Sequence, residues 1–321
     1  MNRPQKYTAT AFDLFDTVTT VTAYAESKAA FDTLFAEIYD MLGYYHRLFD
    51  IYHTYDGMNN LKSVNDAAGT AVTVDDALCD LVAFGIEAYE RTDGRVNIAI
   101  GSLSAVWHGY RTAAIRAPAS AALPTDEELL CAAAHTDVTA VEVDRDRSTV
   151  YLRDEEMRLD VGAVAKGYAV ERVAETLIAR GVTGVILNVG GNIRVIGTHA
   201  DGRDFTVGVE SPSGGYTATL AVRDLSVVTS GSYLRYYTVN GKRYHHVIDE
   251  KTRMPADYHT AVTVVTPDAG LADALSTALF CMPYEDGLSL LRTVAAAEAI
   301  WVTKDGHTKT SEGFARYLSK K

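Results

Sequence analysis

The sequence predicts an α+β fold, with mixed and largely antiparallel sheets into which helices are inserted. Two features predict it: short β segments joined by tight turns, such as the one at Asn240-Gly241, and amphipathic helices between them. The chain also lacks both regular strand–helix alternation and a GxGxxG motif after the first strand, which argues against a Rossmann fold. We therefore expect a single domain over 1–321, built either as one unit or as two closely packed subdomains with the active site between them.

The composition is that of an ordinary globular protein, with 47% apolar and 22% charged residues. The formal net charge of −12 repels polyanions, so we expect no nucleic-acid partner. Cys79, Cys131 and Cys281 lie in apolar helical patterns and are predicted core residues, neither a disulfide framework nor a zinc site. The first ten residues carry no export signal and no lipid-accepting cysteine, although a chain trimmed of such a segment would look the same.

The first half of the chain begins with a predicted strand over 7–23, where residues alternate and Thr and Val are frequent. Apolar residues at helical spacing predict helices over 26–45, 75–89 and 125–135. Turn-forming residues predict a loop at 52–60, and the Ala- and Pro-rich stretch 111–125 is expected to be a surface excursion. A hairpin is predicted to pair 140–143 with 149–153.

The second half starts with a helix that runs to Arg180 and stops at Gly181. The strand predicted over 185–196 is interrupted by Gly190-Gly191-Asn192, which indicates either a bulge or a place where a ligand lies against the backbone. The remaining predictions are strands over 204–210, 218–222 and 227–230, a hairpin at 240–241, helices over 268–281 and 285–295, and a strand pair around 305–306.

The most informative segment is Asp-Val-Gly-Ala-Val-Ala-Lys-Gly at 160–167, which places an acid, two glycines and a lysine at a helix start. Free N–H groups and the positive end of the helix dipole favour a phosphate there, glycine permits close approach, and lysine adds charge. The same pattern also arises from plain strand-to-helix packing, so both interpretations remain open on the octapeptide alone.

Two further segments combine polar groups that suit phosphate chemistry. The loop 229–235 contains hydroxyls, a glycine and Arg235, and can either hold a phosphate or form a tight turn with a solvated arginine. His245 and His246 end a predicted strand, so their rings face opposite sides and at most one points into a given pocket. Such a histidine is either a base at neutral pH or a structural residue.

The predicted helix 268–281 is apolar apart from a few residues, among them Asp273 and Thr277, which lie one turn apart on the same face. A carboxylate beside a hydroxyl offers hard oxygen ligands for Mg²⁺, which prefers few protein groups plus phosphate and water. The alternative is an acid that forms a helix-to-loop hydrogen bond, since burying an unpaired Asp is costly.

Taken in order, these segments resemble the ApbE family of flavin transferases, the FAD:protein FMN transferases. The resemblance spans nearly the whole chain. Its marks are Phe15-Asp16-Thr17, where the family usually has Met-Gly-Thr; the Tyr55 loop that leads to Asn65; Asn-Ile-Ala-Ile-Gly at 97–101 before Trp107; the segment 160–167; Asn-Val-Gly-Gly-Asn-Ile at 188–193; Ser-Gly-Ser-Tyr at 230–233; His-Val-Ile-Asp at 246–249; and Ala-Asp-Ala-Leu-Ser-Thr-Ala at 272–278.

The resemblance implies a role for each matching residue. It makes His246 the catalytic histidine, and it assigns Mg²⁺ to the Ala163 backbone carbonyl and to the side chains of Asp273 and Thr277. The positions implied to bind FAD are Phe15, Tyr55, Asp56, Gly57, Asn97, Ile98, Ala99, Asp160, Lys166, Gly190, Gly191, Ser230, Gly231, Arg235 and Val247.

The chain departs from the family pattern at a few of these positions. Phe15 and Asp16 replace a methionine and a glycine near the flavin, and Asn97 replaces a common Asp. Glu250 and Arg253 stand where Pro and Gly are frequent, and Asn192 stands where an acid is frequent. None of these changes removes an implied metal ligand or the base.

The implied reaction is the Mg²⁺-dependent transfer of the FMN moiety of FAD to a Thr or Ser hydroxyl of an acceptor protein, with release of AMP. A hydrolase that splits FAD into FMN and AMP, and a non-catalytic FAD-binding protein, remain alternatives. The implied acceptor is a respiratory or electron-transfer protein that carries a flavinylation motif. The family implies an extracytoplasmic, membrane-associated location in bacteria, with an export or lipoprotein segment absent from this chain; a cytoplasmic location stays open.

Overall fold

The structure is a computed structural model that describes residues 4–233 and 235–319. Leu234 of the 229–235 loop and the first three residues of the N-terminal segment therefore lie outside the described residues. The helices are α1 Lys28–Phe49, α2 Leu61–Asp66, α3 Asp76–Arg91, α4 Gly101–Arg116, α5 Asp126–Ala133, α6 Ala165–Ala179, α7 Ala269–Phe280 and α8 Tyr284–Leu291, with short 3₁₀ turns at Pro118–Ser120, Val138–Ala140 and Phe314–Tyr317.

The strands are β1 Gln5–Leu14, β2 Thr17–Ala25, β3 Val72–Thr73, β4 Val141–Asp144, β5 Thr149–Leu152, β6 Val185–Val189, β7 Asn192–Ile196, β8 Phe205–Glu210, β9 Tyr216–Val222, β10 Ser226–Gly231, β11 Tyr236–Val239, β12 Lys242–His245, β13 Ile248–Asp249, β14 Met254–Pro255, β15 Ala261–Thr266, β16 Glu298–Val302 and β17 Thr308–Thr310. Eight of them form one sheet in the order β1-β2-β6-β7-β10-β15-β16-β17. Neighbours in this sheet pair antiparallel, which confirms the α+β prediction.

Each face of this sheet buries its own core. Helices α1, α6 and α7 cover one face and contribute Phe31, Leu177 and Leu275 to a large apolar cluster. The β8–β9 hairpin covers the other face, where Phe205 packs against Val227 of β10. A third cluster joins α4 to the β11–β12 hairpin. Because side chains alternate along a strand, one sheet can serve both cores.

The single strand predicted over 7–23 is wrong, since the structure has the hairpin β1–β2 there. Phe15 and Asp16 form its turn with φ of +53° and +51°. Positive φ at both central residues is the pattern of a type I′ hairpin turn, which Asn and Gly usually supply. Neither residue is Asn or Gly, so the sequence carries no turn signal.

The break at Gly190-Gly191 is the turn of a hairpin and not a bulge. The two glycines have φ of +59° and +88°, and Val189 pairs with Asn192 across them. A Cβ on Gly190 would lie 2.4 Å from Thr17 Oγ1, so this turn sits directly against the start of β2. Glycine is required here for both the conformation and the close approach.

Two further expectations need correction. Helix α4 continues to Arg116, so the predicted surface excursion at 111–125 is helical in its first part and ends at the Pro118 turn. Cys131 is exposed, because α5 is a surface helix whose buried residue is Leu129. The hairpin at 141–152, helix α6 and its end at Gly181, and helices α1, α3 and α7 confirm their predictions to within a few residues. Among the residues described, no helix is both long enough and apolar enough to traverse a lipid bilayer.

Candidate functional site

The N-terminal parts of α6 and α7 are in direct contact. The Gly167 N–H donates to Asp273 Oδ2 at 2.9 Å, and a Cβ on Gly167 would lie only 2.2 Å from the Ala269 carbonyl oxygen. Glu171 fixes the same junction, because its carboxylate accepts from the Ala269 N–H at 2.7 Å and pairs with buried Arg194 at 3.0 Å. The segment 160–167 and the Asp273 helix, far apart in sequence, therefore meet.

The carbonyl of Ala163 lies just before α6, whose N-terminal cap is Val164. Gly167 belongs to the first turn of α6, where N–H groups have no acceptor within the helix, and its N–H donates to Asp273. No backbone N–H of the described residues bonds to the Ala163 oxygen. Because Ala163 is only half-buried, this oxygen is available to solvent or to a ligand.

Asp273 is almost fully buried, and this burial raises the pKa of its carboxyl. Lys166, whose Nζ lies 3.9 Å from Asp273 Oδ2, and the Gly167 N–H act in the opposite direction. One turn later Thr277 Oγ1 lies 3.2 Å from Ser230 Oγ. A buried acid and a hydroxyl pair thus lie one helical turn apart on α7, and the acid contacts the first turn of α6.

These groups fit a hard divalent cation. The part of the chain that the structure describes contains no cluster of three His, Cys, Asp or Glu side chains that could hold a metal. A site with one carboxylate suits Mg²⁺, which keeps waters and substrate phosphates as its other ligands. Ala163, Asp273 and Thr277 provide the three kinds of oxygen for such a site.

Asp160 is positioned by a buried segment behind it. Its N–H donates to the Ile98 carbonyl at 2.8 Å, and its Oδ1 accepts from the Gly162 N–H at 2.9 Å. Ile98 and Ala99 are fully buried. The side-chain amide of Asn97 is already hydrogen-bonded to protein groups, including Glu250 Oε1 at 2.8 Å. In this structure, residues 97–99 support Asp160 from within and form no open binding surface.

The two adjacent histidines have different environments. His245 is buried, and both of its ring nitrogens bond to the protein. His246 retains solvent access, although the surrounding protein partly desolvates its ring, and its Nδ1 lies 3.3 Å from the Arg235 carbonyl oxygen. A carbonyl only accepts, so Nδ1 carries the proton and Nε2 keeps its lone pair. His246 therefore presents a free basic nitrogen.

The charges around His246 are positive. Desolvation by the surrounding protein lowers the pKa of His246, and Arg235, Lys166 and Arg111 lower it further. The neutral form of the ring is therefore favoured. The N–H of Val247, the next residue, donates to His245 Nδ1, and its carbonyl accepts from the Ala256 N–H. Only its half-buried side chain is left for contact with a ligand.

Arg235 also contacts the β1–β2 turn, through a 3.0 Å hydrogen bond from Nη2 to the Asp16 carbonyl. On the other side of that turn, the Phe15 N–H donates to His46 Nδ1 on α1 at 3.1 Å. Phe15 is half-buried. The turn is therefore held between α1 and the loop that carries Arg235.

The loop after α1 is organised by Asp50. Its carboxylate accepts from the Tyr52 N–H at 2.6 Å and from the Tyr55 hydroxyl at 2.8 Å. Burial raises the pKa of Tyr55 to about 12, and the bond to Asp50 adds to this effect. Asp56 and Gly57 form the exposed turn that follows, with Gly57 at φ +73°. A cavity of about 390 Å³ beside this loop is lined by Tyr55 and α1, and does not include Asp273 or His246.

Gly231, the last residue of β10, is covered by a neighbouring ring. A Cβ there would lie 2.5 Å from the Tyr233 side chain. Ser230, just before it, bonds through Oγ to Ser276 Oγ at 2.8 Å as well as to Thr277. Ser230 therefore belongs to the Asp273 group, and the structure does not bring Gly231 into it.

Three residues near His246 are absent from the sequence-based predictions. The rings of Tyr52 and His108 lie 5.6 Å apart, and Arg111 Nη2 lies 3.2 Å from His108 Nδ1. Burial lowers the pKa of Arg111, and the nearby charge of Arg235 lowers it further. Among the described residues, no carboxylate oxygen lies within 4.0 Å of the guanidinium group of Arg111 or of Arg235. The i, i+3 spacing of His108 and Arg111 on α4 was the available signal, but it is too common to be informative.

The fold and this group of residues define an antiparallel α+β protein with a cluster of cationic side chains beside a buried carboxylate. The family model of the ApbE family matches residues 15–301, and the chain belongs to this family. The chain is 34% identical over 274 residues to the FAD:protein FMN transferase of Treponema pallidum, covering 79% of this chain and 73% of that protein. It is 32% identical over 256 residues to the FAD:protein FMN transferase of Klebsiella pneumoniae, covering 77% and 76%.

Solved structures agree with this assignment. The crystal structure of an ApbE protein from Thermotoga maritima superimposes with a TM-score of 0.87 at 27% identity, covering 98% of this chain and 100% of that one. A flavin transferase ApbE from Vibrio cholerae has the same fold, with a TM-score of 0.81 at 23% identity. The resemblance inferred from the motifs and the predicted fold class are both confirmed.

Proposed function

We propose that this chain is an FAD:protein FMN transferase, which moves the FMN moiety of FAD to a Thr or Ser hydroxyl of an acceptor protein and releases AMP. Family membership and the names of its relatives support the reaction class. The observation that carries the proposal is the 2.9 Å contact between the Gly167 N–H and Asp273. It joins the Lys166 segment, a free carbonyl and a buried acid into one phosphate-handling group.

The cationic side chains bind and orient the FAD pyrophosphate. Lys166 stands at the first turn of α6, where the positive end of the helix dipole also favours an anion. Arg235 lies beside His246, and its planar guanidinium can donate two parallel hydrogen bonds to phosphate oxygens. Two fixed cations at the pyrophosphate hold it for attack, and positioning is the main requirement of phosphoryl transfer.

Mg²⁺ would be held by the Ala163 carbonyl, Asp273 and Thr277, and when bound it would supply neutralisation of the pyrophosphate charge. The fit rests on this chain's own chemistry: a carbonyl to which no described backbone N–H bonds, and an acid whose burial raises the pKa of its carboxyl. A nearby cation would restore the ionised form of that acid.

His246 takes the proton in the transfer step. Nε2 removes it from the acceptor hydroxyl while the hydroxyl oxygen forms a bond to the FMN phosphorus. The bond from that phosphorus to the bridging oxygen breaks, and AMP leaves with the electron pair. The Arg235 carbonyl stabilises the protonated ring through Nδ1, and the proton then passes to solvent or to AMP.

We further propose a respiratory or electron-transfer protein as the acceptor, and an extracytoplasmic, membrane-associated site of action. The exposed ring of His246 supports a protein acceptor, because a loop of a second protein can reach it without any opening of the fold. The acceptor threonine must approach from the same side as Nε2.

The test is to incubate the protein with FAD, Mg²⁺ and an acceptor domain that carries an Asp-Xaa-Xaa-Thr-Gly-Ala-Thr-like segment. We expect flavin fluorescence on the acceptor that survives denaturation, with one AMP released per flavin transferred, and loss of both in His246→Asn. The matched control is His307→Asn, a surface histidine on the β16–β17 turn that should retain full activity. FMN and AMP without labelled acceptor would contradict transfer in favour of hydrolysis, and bound, unchanged FAD would indicate a non-catalytic FAD-binding protein.

A further inference from the structure

Asn192 is the most unusual polar residue of the main core. Its side chain is 1% exposed, and within the described ranges neither its amide nitrogen nor its amide oxygen has a hydrogen-bond partner. Buried amides are nearly always paired, and an unpaired one lowers the free energy of unfolding. An unpaired amide that is retained in a core calls for a partner that is present only in the working protein.

The sheet register shows where this amide points. Asn192 of β7 lies opposite Val228 of β10, and two residues further along β10 on the same face is Ser230. Ser230 contacts Thr277 on α7, so α7 packs on the face to which Asn192 belongs. Asp273, one turn before Thr277 on α7, is an acid next to that amide.

The Asn192 amide lies beside the Asp273 carboxylate. As a hydrogen-bonding neighbour it lowers the pKa of that carboxyl, against the larger opposite effect of burial. The contact does not reach full hydrogen-bond geometry, whereas Asp273 Oδ2 accepts a 2.9 Å bond from the Gly167 N–H. Asn192 is therefore a polar neighbour of the proposed metal-binding carboxylate whose own bonding is incomplete.

We propose that Asn192 is a positioning residue of the cation site, which orients the Asp273 carboxylate when a divalent cation binds. This inference rests on the proposed function only for the presence of the cation, and it goes beyond the ligands that the family resemblance implies. Hydrogen-bonding groups behind metal-bound carboxylates commonly change metal affinity about 10- to 100-fold when removed. Asn192 is placed to act in this way.

The test is a titration of Mg²⁺ into the full-length, FAD-free protein, followed by the unfolding temperature and by calorimetry. In Asn192→Leu, which keeps the shape of the side chain, we expect a Mg²⁺ affinity about 10- to 100-fold weaker than in the wild type. We also expect an unfolding temperature without Mg²⁺ that is unchanged or higher, because the variant has no unpaired amide. Ser226→Ala is the matched control, since Ser226 is a buried, unpaired hydroxyl at the far end of β10.

A lower unfolding temperature with unchanged Mg²⁺ affinity in Asn192→Leu would make Asn192 a purely structural residue and overturn the inference. If that variant does not fold, Asn192→Ala is measured in the same way. If neither folds, the Asn192 side-chain NH₂ signal of ¹⁵N-labelled wild type must shift on addition of Mg²⁺, and a signal that stays in place overturns the inference. Loss of FMN transfer with retained, Asn192-dependent Mg²⁺ binding would instead remove the proposed function and leave this inference standing.

Discussion

His246 shows how the surroundings of one residue set its chemistry. An imidazole with its ordinary pKa is half protonated just below neutral pH, and only its neutral form is a base. Here desolvation and then the charge of Arg235 lower the pKa of His246. The bond from Nδ1 to the Arg235 carbonyl leaves Nε2 as the basic atom. The free protein therefore holds this residue ready to accept a proton.

This environment predicts the pH dependence of the reaction. The base works above its own pKa, so a lowered pKa keeps kcat/KM constant down to a pH below the ordinary histidine range. Removing a neighbouring positive charge raises the pKa, so we expect the acid limb of the kcat/KM profile to move to higher pH in Arg235→Gln.

The control for this measurement is Arg235→Lys, which retains the charge and should keep the acid limb near its wild-type position. A profile that is the same in Arg235→Gln and in the wild type would show that this charge does not act on the base.

At the scale of elements, the site depends on how closely α6 and α7 approach. Gly167 faces the Ala269 carbonyl and Asp273 at distances that leave no space for a methyl group. The buried Glu171–Arg194 pair, together with the Glu171 bond to the Ala269 N–H, sets the angle at which α7 leaves this junction. The close contact between α6 and α7 therefore determines both the packing of these helices and the position of Asp273 in the proposed cation site.

We predict that Gly167→Ala separates the two helices. An added Cβ would lie 2.2 Å from a backbone oxygen and 2.5 Å from Asp273 Cβ, so the helices must shift. Overpacking of this kind typically costs about 1–3 kcal/mol of the free energy of unfolding. Chemical unfolding should show this loss, and Mg²⁺-induced stabilisation should fall with it.

The matched control is Gly109→Ala, because Gly109 is also helical but has no atom within 4 Å of an added Cβ. There alanine should raise the free energy of unfolding by about 0.5–1 kcal/mol through helix propensity. Equal effects of the two substitutions would contradict the role assigned to the α6–α7 junction.

At the scale of the whole molecule, the charge at the site is opposite in sign to the net charge of the protein. The chain carries a formal net charge of −12, yet Lys166, Arg235 and Arg111 surround His246 with positive charge. A cationic cluster in an acidic protein attracts a dianionic pyrophosphate locally, while the rest of the surface repels anions. This contrast favours a small anionic ligand over a polyanion.

We therefore predict that FAD binding weakens with salt, since the Debye length falls from about 10 Å at 0.1 M to about 3 Å at 1 M ionic strength. In Arg111→Gln, FAD affinity at low salt should fall roughly five- to tenfold, or about 1–1.4 kcal/mol, and the salt dependence should be weaker. Quenching of flavin fluorescence measures both quantities.

The control is Arg292→Gln, which removes an arginine that pairs with Glu312 on the surface. It should leave both the affinity and the salt slope unchanged. An Arg111→Gln variant that binds FAD like the wild type would separate the Tyr52–His108–Arg111 group from the substrate site.

Much of the fold could be predicted because it depends on neighbours in sequence. The apolar stripe of α1, the end of α6 at Gly181 with φ +75°, and the β11–β12 turn at Asn240-Gly241 all follow from local spacing and backbone preference. The order of the motifs was also sufficient to indicate the ApbE family. The Phe15-Asp16 turn was missed because its conformation is imposed by contacts with His46 and Arg235, not by residue type.

The tertiary structure alone decided which polar groups meet. Gly167 and Asp273 are 106 residues apart, and Asp16 and Arg235 are 219 apart, so no local preference could relate either pair. The sequence by itself determined most of the helices and strands and the candidate residues. Burial of Asp273 and the incompletely bonded Asn192 amide arise only when helices pack on one face of the sheet, because desolvation and hydrogen bonding depend on neighbours in space.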